Sequence, residues 1–154
     1  MSKLKVLIVD DNPVFLEYQR IILEEIGLEV RTTEYPDMTI TLIKDFDPDL
    51  LILDKFMEIN GLVIAERVKK EFNYLPVLIM STDDSTIDMK KAFALGCISY
   101  IRKDIDNEEF LDLIEEFCLA GNLSKCFNSF SSTVNKGIDL LTQSLTKKTR
   151  QGLR

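Results

Sequence analysis

Five short apolar runs, each about one strand long and each followed by an amphipathic stretch, constrain this chain more than any other feature. Lys5–Val9 (KVLIV) is continuous, β-branched and apolar, the pattern of a strand buried on both faces. Asn12-Pro13 opens a helix, with proline in the first turn where its missing N–H costs nothing. Val14, Tyr18, Ile21, Ile22 and Ile26 recur at helical spacing as its apolar face, and Gly27 ends it. Leu28–Thr33 alternates as a second strand, and Pro36–Phe46 makes a short helix broken by Asp47-Pro48-Asp49. Leu50–Leu53 is a third buried strand ending at Asp54. A third helix runs from Gly61 to about Phe72 on Leu62, Ala65 and Val68. Pro76–Met80 is a fourth strand, Ser85–Leu95 a helix stopped by Gly96, and Cys97–Ile101 a fifth strand. A last helix spans about Asn107–Leu119, with Phe110, Leu113, Ile114 and Phe117 on its apolar face. The order βαβαβαβαβα predicts an α/β fold, a doubly wound five-stranded parallel sheet covered on both faces, with a helical C-terminal extension.

Composition narrows the chemistry. The 154 residues contain no histidine, which excludes Ser-His-Asp and Cys-His catalysis, histidine metal sites and a phosphohistidine on this chain. Cys97, Cys118 and Cys126 are odd in number, widely spaced and set among apolar residues, so they read as reduced, buried thiols. No run approaches the roughly 18 apolar residues of a membrane span, and Met1–Lys5 leads straight to Asp10-Asp11 without a secretory signal pattern. The expected location is the cytoplasm.

Charge divides the chain. Residues 1–121 carry 25 acids and 13 bases, a net of -12; residues 122–154 carry one acid and six bases, a net of +5. The acidic body, 1–121, is expected not to bind DNA directly. Gly121-Asn122 is the expected boundary between this domain and a basic extension over 122–154.

Ligands of such sheets collect at the C-terminal strand ends. There the sequence places Asp10-Asp11, Asp54, Ser81-Thr82 and Lys103. Three carboxylates packed together repel one another, and a divalent cation relieves them. Mg²⁺ takes hard oxygens and commonly one or two carboxylates plus a phosphoryl oxygen. The loop carbonyl of Phe56 is a further candidate ligand. The first loop, VDDNP, has no glycine, so it carries neither GxGxxG nor GxxxxGK[ST], and it lacks the Asp-x-Asp pair of a haloacid-dehalogenase-like phosphatase. What remains is an acidic Mg²⁺ pocket with a carboxylate nucleophile and a nearby cation, suited to receiving a phosphoryl group on an aspartate.

Four blocks in order, VLIVDDNP (Val6–Pro13), PDLLILDKFM (Pro48–Met57), PVLIMST (Pro76–Thr82) and GCISYIRK (Gly96–Lys103), resemble the receiver domains of two-component response regulators over about residues 3–119. The resemblance implies a flavodoxin-like fold. It implies Asp54 as phosphoacceptor, Asp10 and Asp11 with Asp54 as the Mg²⁺ (or Mn²⁺) site, and Asp11 as the more direct ligand of the acid pair. Ser81 matches the switch hydroxyl, Lys103 the lysine that pairs with the phosphoryl group, and Tyr100 the switch aromatic. A sensor histidine kinase, a histidine phosphotransfer protein or a small phosphodonor would supply the group. Ser81 and Tyr100 would then move, changing the surface of the fourth helix, fifth strand and last helix for an unknown output protein or domain. Slow self-dephosphorylation would act as a timer, so the chain is expected to be a switch and not an enzyme.

The chain departs from the family pattern at several places. Asp104 follows the lysine where proline is common and adds a negative charge near the pocket, and Glu58 stands where proline is usual. The Asp54–Gly61 segment is one residue short, and Phe56 and Asp83 occupy positions that tune dephosphorylation in the family. Asp104, Glu58 and the shortened loop favour the alternative reading, a receiver-like scaffold that works without phosphate, while the complete set Asp10, Asp11, Asp54, Ser81 and Lys103 favours the phosphorylated switch. In the extension, Phe127, Phe130, Val134, Ile138, Leu141 and Leu145 recur every three or four residues as an amphipathic helix. It fits a homodimerising helix, a docking segment, a linker to an output domain or a partly ordered extension. The face of the fourth helix, fifth strand and last helix is the other candidate homodimer surface.

Overall fold

The computed structural model describes the backbone of residues 2–152 and the side chains of residues 2–128 and 143. The elements are β1 (Lys5–Val9), α1 (Pro13–Glu25), β2 (Glu29–Thr33), a 3₁₀ turn (Pro36–Met38), α2 (Thr39–Phe46), β3 (Leu50–Asp54), α3 (Gly61–Glu71), β4 (Val77–Ser81), α4 (Thr86–Ala94), β5 (Ser99–Arg102) and α5 (Asn107–Gly152). The strands form one parallel sheet in the order β2-β1-β3-β4-β5. This is the expected α/β doubly wound architecture.

Strand alternation divides the core into two layers. Leu7, Val9, Leu51, Leu53, Val77 and Ile79 face α2, α3 and α4 through Ile43, Phe46, Leu62, Ala65, Val68 and Ala92. Val6, Ile8, Leu50, Ile52, Leu78 and Met80 face α1 and α5 through Leu16, Leu23, Phe110, Ile114 and Cys118. Both faces of β3 and β4 are therefore dry, which is why these strands read as unbroken apolar runs.

Three sequence expectations are corrected. On α1, Val14, Tyr18 and Ile21 are exposed (Val14 by 76%), and the buried residues are Leu16, Gln19 and Leu23. Only Ile22 and Ile26 of the expected stripe pack against the core, and they do so in part. The helix is apolar on several sides, and its deepest face carries the polar Gln19, whose Nε2 donates to Met80 Sδ at 3.1 Å.

Cys97 and Cys118 are buried, with thiol pKa values pushed by burial up to about 11 and about 12, but Cys126 is exposed. The last helix does not stop near Leu119; it continues through Gly121 to Gly152. A Cβ at Gly121 would overlap the Asp49 carbonyl and lie 3.0 Å from Pro76 Cδ, so this glycine serves close approach to the sheet rather than chain reversal. Asn122 Nδ2 donates to Asp49 Oδ1 at 3.3 Å, and Lys125 Nζ lies 3.1 Å from the same oxygen. The stripe positions after Phe127, namely Phe130, Val134, Ile138, Leu141 and Leu145, lie outside the described side chains. Among the described residues no helix is long and apolar enough to cross a membrane.

Candidate functional site

From β1 the sheet grows outward in two directions, to β2 on one side and to β3, β4 and β5 on the other. The C-terminal ends of β1 and β3 therefore frame the crevice where doubly wound sheets hold ligands. The β1–β3 register runs from Val6↔Leu50 to Val9↔Leu53, so Asp10, which follows β1, comes beside Asp54, which closes β3. One carboxylate oxygen from each of Asp10, Asp11 and Asp54 lies within 4.8 Å of the others. Asp10 and Asp54 are buried; Asp11 is exposed and opens onto a surface hollow shared with Glu34, Asp37 and Glu58.

Local folding aims these groups. Asn12 caps α1, its Oδ1 accepting from the Val14 and Phe15 N–H groups at 3.0 and 3.2 Å, so neither aspartate is spent on that cap. Asp10 Oδ1 accepts the Asn12 N–H at 2.9 Å, leaving Oδ2 to receive Lys103 Nζ at 2.7 Å. The same ammonium lies 3.1 Å from Asp54 Oδ1 and 4.5 Å from the centre of the Phe15 ring. Lys103 is carried there by β5, and its N–H donates to the Ser81 carbonyl at 2.8 Å. Gly61 closes the short loop after β3. A Cβ there would overlap the Asp54 carbonyl, and the Gly61 N–H donates to the Lys55 carbonyl at 2.9 Å.

Electrostatics follow from burial. Asp54 is pushed up to about 6, by desolvation first and by the Asp10 charge second, with Lys103 and the Phe56 N–H pulling the other way. For Lys103, burial works against the ammonium, but the Asp10 and Asp54 carboxylates outweigh it and raise its pKa. The donor set is all carboxylate oxygen, without thiolate or imidazole, and suits a hard divalent cation such as Mg²⁺ or Mn²⁺.

The structure thus brings Asp10, Asp11, Asp54 and Lys103 together as the sequence predicts. Phe56 belongs to the same cluster through its N–H, which donates to Asp54 Oδ1 at 3.3 Å, while its ring is half exposed. Ser81 and Tyr100 are arranged differently. Both are buried, and both donate to Asp83 Oδ1, Ser81 Oγ at 2.9 Å and the Tyr100 hydroxyl at 2.6 Å. Asp104 does not leave a bare charge by the pocket: its carboxylate accepts from Arg102 Nε and Nη2 at 3.0 and 2.9 Å on the surface.

Sequence reasoning missed Lys55. It is only 3% exposed, its Nζ reaches Asp83 Oδ2 at 2.7 Å, and it pairs with Asp88. Burial alone would lower its pKa, but the hydrogen bonds it donates to Asp83 and Asp88 outweigh this and raise it. Asp83 in turn is held well below the usual carboxylate range, by Lys55 first and Tyr100 second. The available signal was a lysine directly after the fully apolar run of β3, a position whose charge needs nearby acids.

Order 2-1-3-4-5 with acids at the strand ends defines the class, a flavodoxin-like protein with an acidic crevice. Residues 6–115 match the family model of the response regulator receiver domain, and the chain belongs to that family. It is 29% identical over 111 residues to the transcriptional regulatory protein TrcR of Mycobacterium tuberculosis, covering 71% of this chain and 43% of that protein. It is 31% identical over 116 residues to the DNA-binding transcriptional regulator NtrC of Azospirillum brasilense, covering 75% and 24%. The chain therefore spans less than half the length of these curated relatives. In fold it is similar to the CheY-like response regulator receiver domain protein of Methanospirillum hungatei JF-1, with a TM-score of 0.73 at 23% identity over 79% of this chain and 98% of that one. A similar likeness, with a TM-score of 0.71 at 22% identity, holds for the chemotaxis protein CheY4 of Vibrio cholerae, over 75% and 99%.

Proposed function

We propose that this receiver domain is a phosphorylation-controlled switch whose acceptor is Asp54. The observation that carries the reading is the Lys103 ammonium lying 2.7 Å from Asp10 and 3.1 Å from Asp54 at the strand ends. A buried carboxylate beside a fixed cation and two further acids is the arrangement that phosphoryl transfer to an aspartate needs.

Asp10, Asp11 and Asp54, with the Phe56 carbonyl, would hold Mg²⁺ or Mn²⁺, which supplies neutralisation of the transferring group's charge. Asp54 supplies the attacking oxygen; a bond from it to phosphorus forms as the donor's P–N or P–O bond breaks. Lys103 offsets negative charge at the site. Residues 1–154 contain no histidine, so a phosphohistidine donor lies outside these residues, on a sensor kinase or a histidine phosphotransfer protein. Ser81 and Tyr100 then relay the change to the α4–β5–α5 face, which an output protein or domain reads. The net charge of -12 on residues 1–121 favours a protein target over nucleic acid for this domain. The role is signalling, with only slow self-dephosphorylation as chemistry, and the setting is the cytoplasm.

The test is the intact-protein mass after incubation with Mg²⁺ and acetyl phosphate. The expected result is gain of one phosphoryl group, absent without Mg²⁺ and absent in Asp54→Asn. No gain here or from a panel of phosphorylated kinases, with a reactive receiver run in parallel, would leave the phosphate-independent scaffold as the function.

A further inference from the structure

Two hydroxyls that the switch reading sets in motion are both committed elsewhere in this structure. Ser81 Oγ donates to Asp83 Oδ1 at 2.9 Å, and the Tyr100 hydroxyl donates to the same oxygen at 2.6 Å. The Asp83 N–H returns a bond to Ser81 Oγ at 3.2 Å. A hydroxyl has one proton to give, so Ser81 cannot donate to a phosphoryl oxygen on Asp54 while Asp83 holds it.

Asp83 is itself anchored. Its other oxygen, Oδ2, receives Lys55 Nζ at 2.7 Å, and Lys55 also pairs with Asp88 at the start of α4. The Lys55 ammonium lies 4.5 Å from the centre of the Phe56 ring and 5.9 Å from that of Tyr100. Lys55 is the residue next to Asp54 in the chain and is buried, so this anchor is rigidly tied to the acceptor's own backbone. Hydrogen bonds to an ionised acceptor are about twice as strong as neutral ones, so the arrangement resists opening.

We propose that Lys55 and Asp83 form a latch that holds Ser81 and Tyr100 in the resting arrangement, making both of them positioning residues for the switch. The proposal rests on the phosphoacceptor reading of Asp54 and adds what opposes it. Phosphorylation has to draw the Ser81 proton away from Asp83, and losing that bond frees Tyr100 from sharing the same oxygen. One carboxylate thereby couples the two movements.

The experiment uses the full chain labelled with 3-fluorotyrosine and read by ¹⁹F NMR, with Tyr100→Phe assigning the signal among the four tyrosines. The first reading is taken without donor or divalent cation. Asp83→Asn keeps the side-chain shape on a partly exposed loop residue and removes the charge; Lys55→Met removes the anchor. Both are expected to move the Tyr100 signal, whereas Asp84→Asn, an exposed acid bound only to Arg102 among the described residues, leaves it in place. The second reading is the rate of Mg²⁺-dependent phosphoryl uptake from acetyl phosphate. Asp83→Asn is expected to raise it about tenfold, the worth of one hydrogen bond to a charged group, and to lose it when combined with Asp54→Asn. An unmoved Tyr100 signal in Asp83→Asn, or uptake at the wild-type rate, overturns the latch while leaving the acceptor reading intact. Absence of uptake in every variant overturns the acceptor reading, and the latch's role with it.

Discussion

At the scale of single residues, Asp54 is under tension. Burial and the Asp10 charge raise its pKa to about 6, so ionising it in the folded protein costs free energy that the unfolded chain does not incur. Below about pH 3 the group is largely protonated in both states and the penalty vanishes. As pH rises from there through 6, the unfolded chain ionises first and stability is lost, after which the loss is constant. Asp54→Asn does not titrate. In urea titrations without divalent cations it is expected to match the wild type at about pH 3 and to be more stable by about 2 to 3 kcal/mol above pH 6. Equal stabilities at pH 7 would show that Asp54 is not strained.

The residues of this site differ in how openly the sequence displays them. Asp10, Asp11, Asp54 and Lys103 stand directly after apolar strands, where the topology alone brings them together. The grip of Asp83 on Ser81 and Tyr100 was not visible, because it depends on Lys55, whose partner Asp83 is 28 residues away and on another loop. Periodicity locates elements but does not say which charged side chain of one loop will meet which acid of the next.

At the scale of elements, the five strands were legible because burial on both faces leaves continuous apolar runs. The buried face of α1 was not. Val14, Phe15, Leu16, Tyr18, Ile21, Ile22 and Leu23 surround much of that helix, and what selects Leu16 and Leu23 is the layer formed by β1 and β3 against it. The course of α5 was misread for a different reason. Glycine after an apolar helical stretch is a common stop signal, yet Gly121 sits within a continuous helix pressed against Asp49 and Pro76. Two effects of Gly121→Ala oppose each other: helix propensity gains about 1 kcal/mol, while overlap with the Asp49 carbonyl costs more. A net loss of about 2 kcal/mol is expected from overpacking, read as a lower urea midpoint with unchanged slope. A stabilised variant would mean that α5 does not approach the sheet this closely.

At the scale of the whole molecule, charge and topology act together. The acidic body concentrates carboxylates where the sheet order turns, and one lysine from the far strand is threaded between two of them. The basic residues of the extension are joined to this body by a helix that keeps contact through Asn122 and Lys125, both of which reach Asp49. Tyr100 of β5 packs in the layer under α2, α3 and α4, while Phe110 and Ile114 of α5 pack on the opposite face of the sheet. The account depends on Asp54 being the acceptor and not merely one acid of three. The direct measurement is borohydride reduction of the protein after incubation with Mg²⁺ and acetyl phosphate, followed by peptide sequencing in a mass spectrometer. Borohydride converts an aspartyl phosphate to homoserine, so the account predicts homoserine at position 54 alone. Homoserine at position 10 or 11, or at no position while a parallel receiver yields it, would contradict the account.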